Sequence, residues 1–169
     1  RKVDGILLLY DHPLEPNAPT IMEHVDAFAR HSRFDVWSVN TVLGFPKSLG
    51  ELDSVVVLHY SLFGWFPFKL DEWFERYLER SDAYKIAFFQ DEYQFCRPRF
   101  ELLDRFGVDC VYTLLEPEWW DDVYRKHTSV PKLVYTIPGY VSDDLVALSE
   151  RLARPDEERT VDVGYRTRT

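Results

Sequence analysis

Two histidines, His12 and His59, stand where apolar runs give way to polar residues. An imidazole titrates near neutral pH, so either ring can take a proton from a reacting hydroxyl. Gln90-Asp91-Glu92-Tyr93 is the densest polar cluster at the end of an apolar run. A carboxylate in such a cluster can bind hydroxyls or steady positive charge that builds up in a transition state. Asp11 precedes His12, Tyr60 follows His59, and Gly139-Tyr140 follows the last apolar run. His12, His59 and Asp91 are the catalytic candidates. Asp11, Tyr60, Gln90, Glu92, Tyr93, Gly139 and Tyr140 are the candidates for ligand contact. A structural alternative accompanies each: the histidines can bond neighbouring loop backbone, and one of the adjacent carboxylates can cap the helix that follows. His24, His31 and His127 are expected on the solvated surface, and Trp65, Phe66 and Phe68 in the core, the alternative being a flap over the rim.

These residues need elements that bring them to one place. Ile6–Tyr10, Val55–Leu58, Ile86–Phe89, Val111–Leu115 and Leu133–Ile137 are short apolar runs, the pattern of strands buried on both faces of a parallel sheet. Phe34–Val39 reads as one strand more. Helical signals lie between them. Thr20 and Glu23 have capping-box spacing ahead of Ile21, Val25 and Phe28. Leu70, Trp73, Phe74, Tyr77 and Leu78 form one apolar stripe. Pro98 opens a helix that Gly107 stops, Glu116-Pro117 begins a short acidic one, and Ser142 caps the last. The expected fold is α/β: a Rossmann-like, doubly wound parallel sheet in three αβα layers, with strand order 3-2-1-4-5-6. All strand ends then share one rim, where ligands bind.

The remaining features mostly exclude. With 169 residues, 46% hydrophobic and 29% charged, the chain suits one soluble globular domain. No run approaches the ~20 apolar residues of a membrane span. Cys96 and Cys110 lack metal-ligand spacing, so no metal is expected, and a reduced, cytoplasmic setting is. A net charge of −9 argues against nucleic acid as partner. Residues 11–17 contain no glycine, which leaves neither a dinucleotide fingerprint nor a P-loop, and no cofactor is expected. His59 stands where a response-regulator receiver needs its acceptor aspartate. Residues 154–159 are polar and Pro-broken, a linker between residues 1–153 and a terminal piece, 160–169, in which Val161, Val163 and Tyr165 alternate as in a strand.

Taken in order, Leu58-His59-Tyr60-Ser61, Phe89-Gln90-Asp91-Glu92-Tyr93, Tyr112-Thr113 with Glu116-Pro117, Ile137-Pro138-Gly139-Tyr140-Val141 and Val161-Asp162-Val163-Gly164-Tyr165-Arg166 carry a likeness. The chain resembles the N-terminal half of a bacterial GT-B glycosyltransferase of the large retaining family that builds cell-surface polysaccharides. The resemblance implies an acceptor-side domain for a saccharide or lipid-linked acceptor. It places the nucleotide-sugar donor on a C-terminal domain that begins at the Val161–Tyr165 strand. It implies a cytoplasmic enzyme, with peripheral attachment of the full-length protein at the inner face of the membrane as an option. The isolated chain is then expected to be inactive. The competing expectation is a non-catalytic Rossmann-like domain that binds a ligand or a protein through the same rim.

Overall fold

A computed structural model describes residues 5–12, 19–47, 49, 55–136 and 140–161. Six strands, β1 (Ile6–Tyr10), β2 (Val36–Asn40), β3 (Val55–Leu58), β4 (Tyr84–Phe88), β5 (Cys110–Thr113) and β6 (Lys132–Tyr135), form one sheet. Every pairing is parallel. Alternate residues of the apolar runs enter opposite layers, as a strand period of two requires. Leu7, Leu9, Val56, Leu58, Ala87 and Val111 join the larger core, with helices α2 (Glu72–Arg80) and α3 (Cys96–Phe106). Leu8 and Val57 face the other way, against Val25 of α1 (Pro19–His31). The chain is therefore an α/β protein of the Rossmann-like, three-layer kind.

The strand order is β2-β1-β3-β4-β5-β6, which corrects the expected 3-2-1-4-5-6. The cause is strand composition. Val55-Val-Val-Leu58 is apolar throughout and its last three residues are buried, so it takes an interior place between β1 and β4. Val36-Trp-Ser-Val-Asn40 is mixed, exposes Trp37 and Ser38, and tolerates the edge. The order reverses between β1 and β3, and the crevice at such a reversal is where open α/β sheets bind ligands.

Local chemistry fixes the helix ends. Asp71 caps α2 by accepting from the amides of Trp73 and Phe74, an arrangement of roughly 1 kcal/mol. Gly107 closes α3 at φ 61, with its amide reaching back to Asp104 and Leu103, a left-handed position that favours glycine. Ser142 caps α4 (Asp143–Leu152) through the Leu145 amide, and Arg30 at the end of α1 pairs with Asp143 at 2.8 Å. α1 already begins at Pro19, so Thr20 lies inside the first turn and is not the expected cap. The short acidic segment is a 3-10 turn, Pro117–Trp119, followed by a π-helical turn, Asp121–Arg125, that buries Tyr124. Residues 154–159 are exposed, and apart from Val161 the expected terminal strand lies outside the described residues.

Candidate functional site

His59, at the end of β3, is fully buried and caps the 3-10 turn Tyr60–Phe63. The Ser61 amide donates to its Nδ1 at 3.2 Å. An N–H can only donate, so Nδ1 is the acceptor nitrogen and the ring proton sits on Nε2. Nε2 then donates to His24 Nδ1, 3.0 Å away. Ser61 Oγ lies 2.8 Å from His59 Nδ1 and accepts from the Asp11 amide at 2.9 Å. The result is a one-way hydrogen-bonded chain from the end of β1, through Ser61 and His59, to α1. Burial, reinforced by His24, pushes His59 down to about 3, and burial lowers His24 as well.

This geometry changes the reading of two histidines. His59 has no exposed atom for a substrate and both ring nitrogens are engaged, so it acts as a fastener of the β1 and β3 loops, not as a direct proton acceptor. His24 is not a solvated surface residue. Its ring packs against Phe28, Phe88 and Tyr60, stacked on Tyr60 at 5.7 Å. Its place three residues after Ile21 and four before Phe28 put it on the apolar stripe of α1, a signal legible in the sequence. His31 and His127 are exposed, as expected.

His12 is placed differently. The Asn40 side chain, at the end of β2, grips its peptide from both sides, accepting from His12 N at 3.2 Å and donating to His12 O at 2.8 Å. Thr41 Oγ1 donates to Tyr10 O alongside. The backbone is therefore held, while among the described residues the buried Nε2 of the imidazole has no hydrogen-bond partner. An orphaned ring nitrogen is costly in a fold and is the kind of group that marks a site. Asp11, next to it, is raised above the usual carboxylate range by burial, with Lys69 and His12 opposing. Tyr60, half-buried beside Thr20 and Glu23, is also raised by burial.

The second cluster follows β4. Glu92 Oε1 accepts from Thr113 Oγ1 at 2.6 Å and from the Tyr124 hydroxyl, while Oε2 accepts from the Leu114 amide at 2.6 Å. Glu92 thus ties the β4 loop to the end of β5, and its expected role in ligand contact gives way to a structural one. Burial, with Glu92 beside it, pushes Tyr124 upward. Arg99 is 2% exposed and donates to Gln90 O and Phe63 O at 2.9 and 3.1 Å, clamping the loops after β3 and β4. Gln90 is half-buried, Asp91 is exposed at φ 50, and Tyr93 is 79% exposed. Trp65 and Phe66 are exposed rather than core residues, while Phe63 is fully buried and Phe68 packs against the core.

The expected residues therefore fall into neighbouring groups on one rim: Asp11, His12, Tyr60 and His59 at the β1/β3 reversal, and Gln90, Asp91, Glu92 and Tyr93 after β4. Tyr140 is half-buried beyond β6. β6 stands four strand positions from β1 in the sheet order, which at ~4.8 Å per step is roughly 19 Å, so Tyr140 does not join the β1/β3 group. Gly139 lies outside the described residues. Asn40, Ser61, His24, Arg99, Thr113 and Tyr124 complete the site without having been site candidates in the sequence.

Among the described residues no group of three or more His, Cys, Asp or Glu is placed to hold a metal ion. None of the described helices is long and apolar enough to cross a membrane. No protein-family model, curated protein or solved structure matches the chain.

Proposed function

We propose that the chain is the acceptor-side domain of a GT-B glycosyltransferase, which moves a sugar from a nucleotide-sugar donor to a saccharide or lipid-linked acceptor in cell-surface polysaccharide synthesis. The observation that carries this reading is His12: a ring nitrogen without a partner among the described residues, on a backbone locked by Asn40, beside Asp11 at the β1/β3 reversal. In this reading the acceptor hydroxyl lies against His12 and Asp11. It attacks the anomeric carbon as the bond to the nucleoside diphosphate breaks, and its proton passes to His12 Nε2, an enclosed atom that acceptor binding has to uncover. The exposed faces of Trp65, Phe66 and Tyr93 suit sugar rings. A glycine-free first loop suits an acceptor better than a pyrophosphate. The full-length protein is proposed to work in the cytoplasm, at the inner face of the membrane.

The rival reading, a non-catalytic binding domain, gains from His59 and Glu92, both engaged within the fold. Nucleoside diphosphate release by the full-length protein separates the two. Release with a UDP- or GDP-sugar, slowed about 100-fold by His12→Ala, is the expected result. Absence of release with every sugar nucleotide favours the binding domain. Calorimetric titration of this chain with the same compounds adds a second check. Submicromolar binding would mean that the chain is the donor half.

A further inference from the structure

A cavity of about 520 Å³ opens between the loops after β4 and β5, within the ~300–1,000 Å³ of small-molecule sites. Leu114, Leu115 and Val123 supply its apolar lining, Tyr93 an aromatic wall and Cys96 a thiol. Asp91 and Glu92 are its acidic members. They are not equivalent. Glu92 already receives three hydrogen bonds. Among the described residues no hydrogen bond engages the Asp91 carboxylate; its backbone carbonyl, by contrast, accepts from Gln94 N at 3.0 Å. The left-handed backbone at Asp91, φ 50, is an uncommon conformation for a residue with a side chain, and such outliers gather at ligand sites.

Charge narrows the ligand further. Arg99 faces both carboxylates from behind, but its terminal nitrogens are held by Gln90 O and Phe63 O. One cation against two carboxylates leaves one negative charge, and the lining holds no lysine or arginine. An anionic group is repelled there. A neutral group with hydroxyls finds an acceptor in Asp91, and an apolar ring finds Leu114, Leu115 and Val123.

We propose that this cavity is a subsite for the neutral, apolar aglycone end of a hydroxyl-bearing ligand, with Asp91 accepting from the hydroxyl nearest the ring. Naming that ligand the glycosyl acceptor rests on the transferase reading above; occupancy of the cavity does not. The subsite excludes phosphorylated aglycones and has little hold on a bare sugar.

Cys96 provides a readout independent of transfer. It is half-buried in the cavity wall, whereas the second cysteine, Cys110, is 2% exposed and serves as internal control. The chain is alkylated with N-ethylmaleimide, and modification of each cysteine is followed by peptide mass spectrometry. Phenyl β-glucoside is expected to slow modification of Cys96 at least fivefold, while glucose and phenyl phosphate leave the rate within twofold. Asp91→Asn, at an exposed position whose backbone asparagine also adopts, is expected to raise the half-protecting concentration about tenfold. Val123→Asp, checked for native circular dichroism, is expected to abolish protection. No protection by phenyl β-glucoside, equal protection by phenyl phosphate, or protection unchanged in both variants overturns the proposal. Protection without nucleoside diphosphate release from the full-length protein would sink the transferase reading and leave the subsite standing. Release without protection would do the reverse.

Discussion

His24 Nδ1 lies 3.0 Å from His59 Nε2, and the pair joins α1 to the end of β3 through two uncharged imidazoles. Both rings titrate below their ordinary value, His59 at about 3. The unfolded chain therefore binds more protons than the fold between about pH 3 and the reference value of 6.5. The pair's contribution is complete above 6.5 and is lost as pH falls toward the folded value. Each histidine adds a slope of up to about 1.4 kcal/mol per pH unit. Asp11, raised by burial, works in the opposite direction. Urea unfolding should show stability falling from pH 6.5 to 4, with a flatter slope in His59→Gln. A stability that rises on acidification, or an unchanged slope in the variant, contradicts the assignment.

The two rim histidines should separate in their effects. His12→Ala removes a ring without disturbing the Asn40 clamp, which holds main chain. On the transferase proposal, the full-length protein should then lose about 100-fold in turnover with its melting temperature nearly unchanged. His59→Ala should do the opposite, lowering stability by about 2–4 kcal/mol through a cavity and an unpartnered His24. Equal effects of both substitutions on turnover and melting would remove the distinction.

Glu92 should behave as a structural carboxylate. Glu92→Ala strands the Thr113 hydroxyl, the Leu114 amide and the Tyr124 hydroxyl at once. The expected loss is about 2–3 kcal/mol of unfolding free energy. Tyr124→Phe should cost less, because Glu92 keeps its other two donors. A midpoint of denaturation that does not move in Glu92→Ala would show that the cluster is solvated instead.

Gly5 is required for a different reason. A Cβ built there would lie 1.9 Å from the Trp37 ring of the neighbouring strand. Gly5→Ala should destabilise by up to about 1 kcal/mol, the low end for overpacking, because the exposed Trp37 ring can swing aside. Adding Trp37→Ala should recover part of that loss, since the clash disappears with the ring. Additive effects in the double variant would rule out contact between the two positions.

The strands, their parallel pairing and their common rim were legible because they depend on local composition. Short apolar runs must be covered on both faces, and each was followed by a helix that could do so. The cap at Ser142 and the stop at Gly107 depended equally on nearby atoms. The place of β2 at the edge was also written in Trp37 and Ser38, though only comparison with the fully apolar β3 makes it visible.

The roles of the polar residues belong to the tertiary structure. His12 and His59 look alike in sequence, each a histidine after a strand. What distinguishes them is which partners arrive from elsewhere: Asn40 holds only the backbone of His12, while Ser61 and His24 occupy both nitrogens of His59. Asp91 and Glu92 differ by one position, yet Thr113, Leu114 and Tyr124 converge on one and not on the other. Residue type and spacing determine that a group can donate or accept. Whether that capacity is consumed inside the fold or left for a ligand depends on contacts between residues far apart in the chain, which only folding brings together.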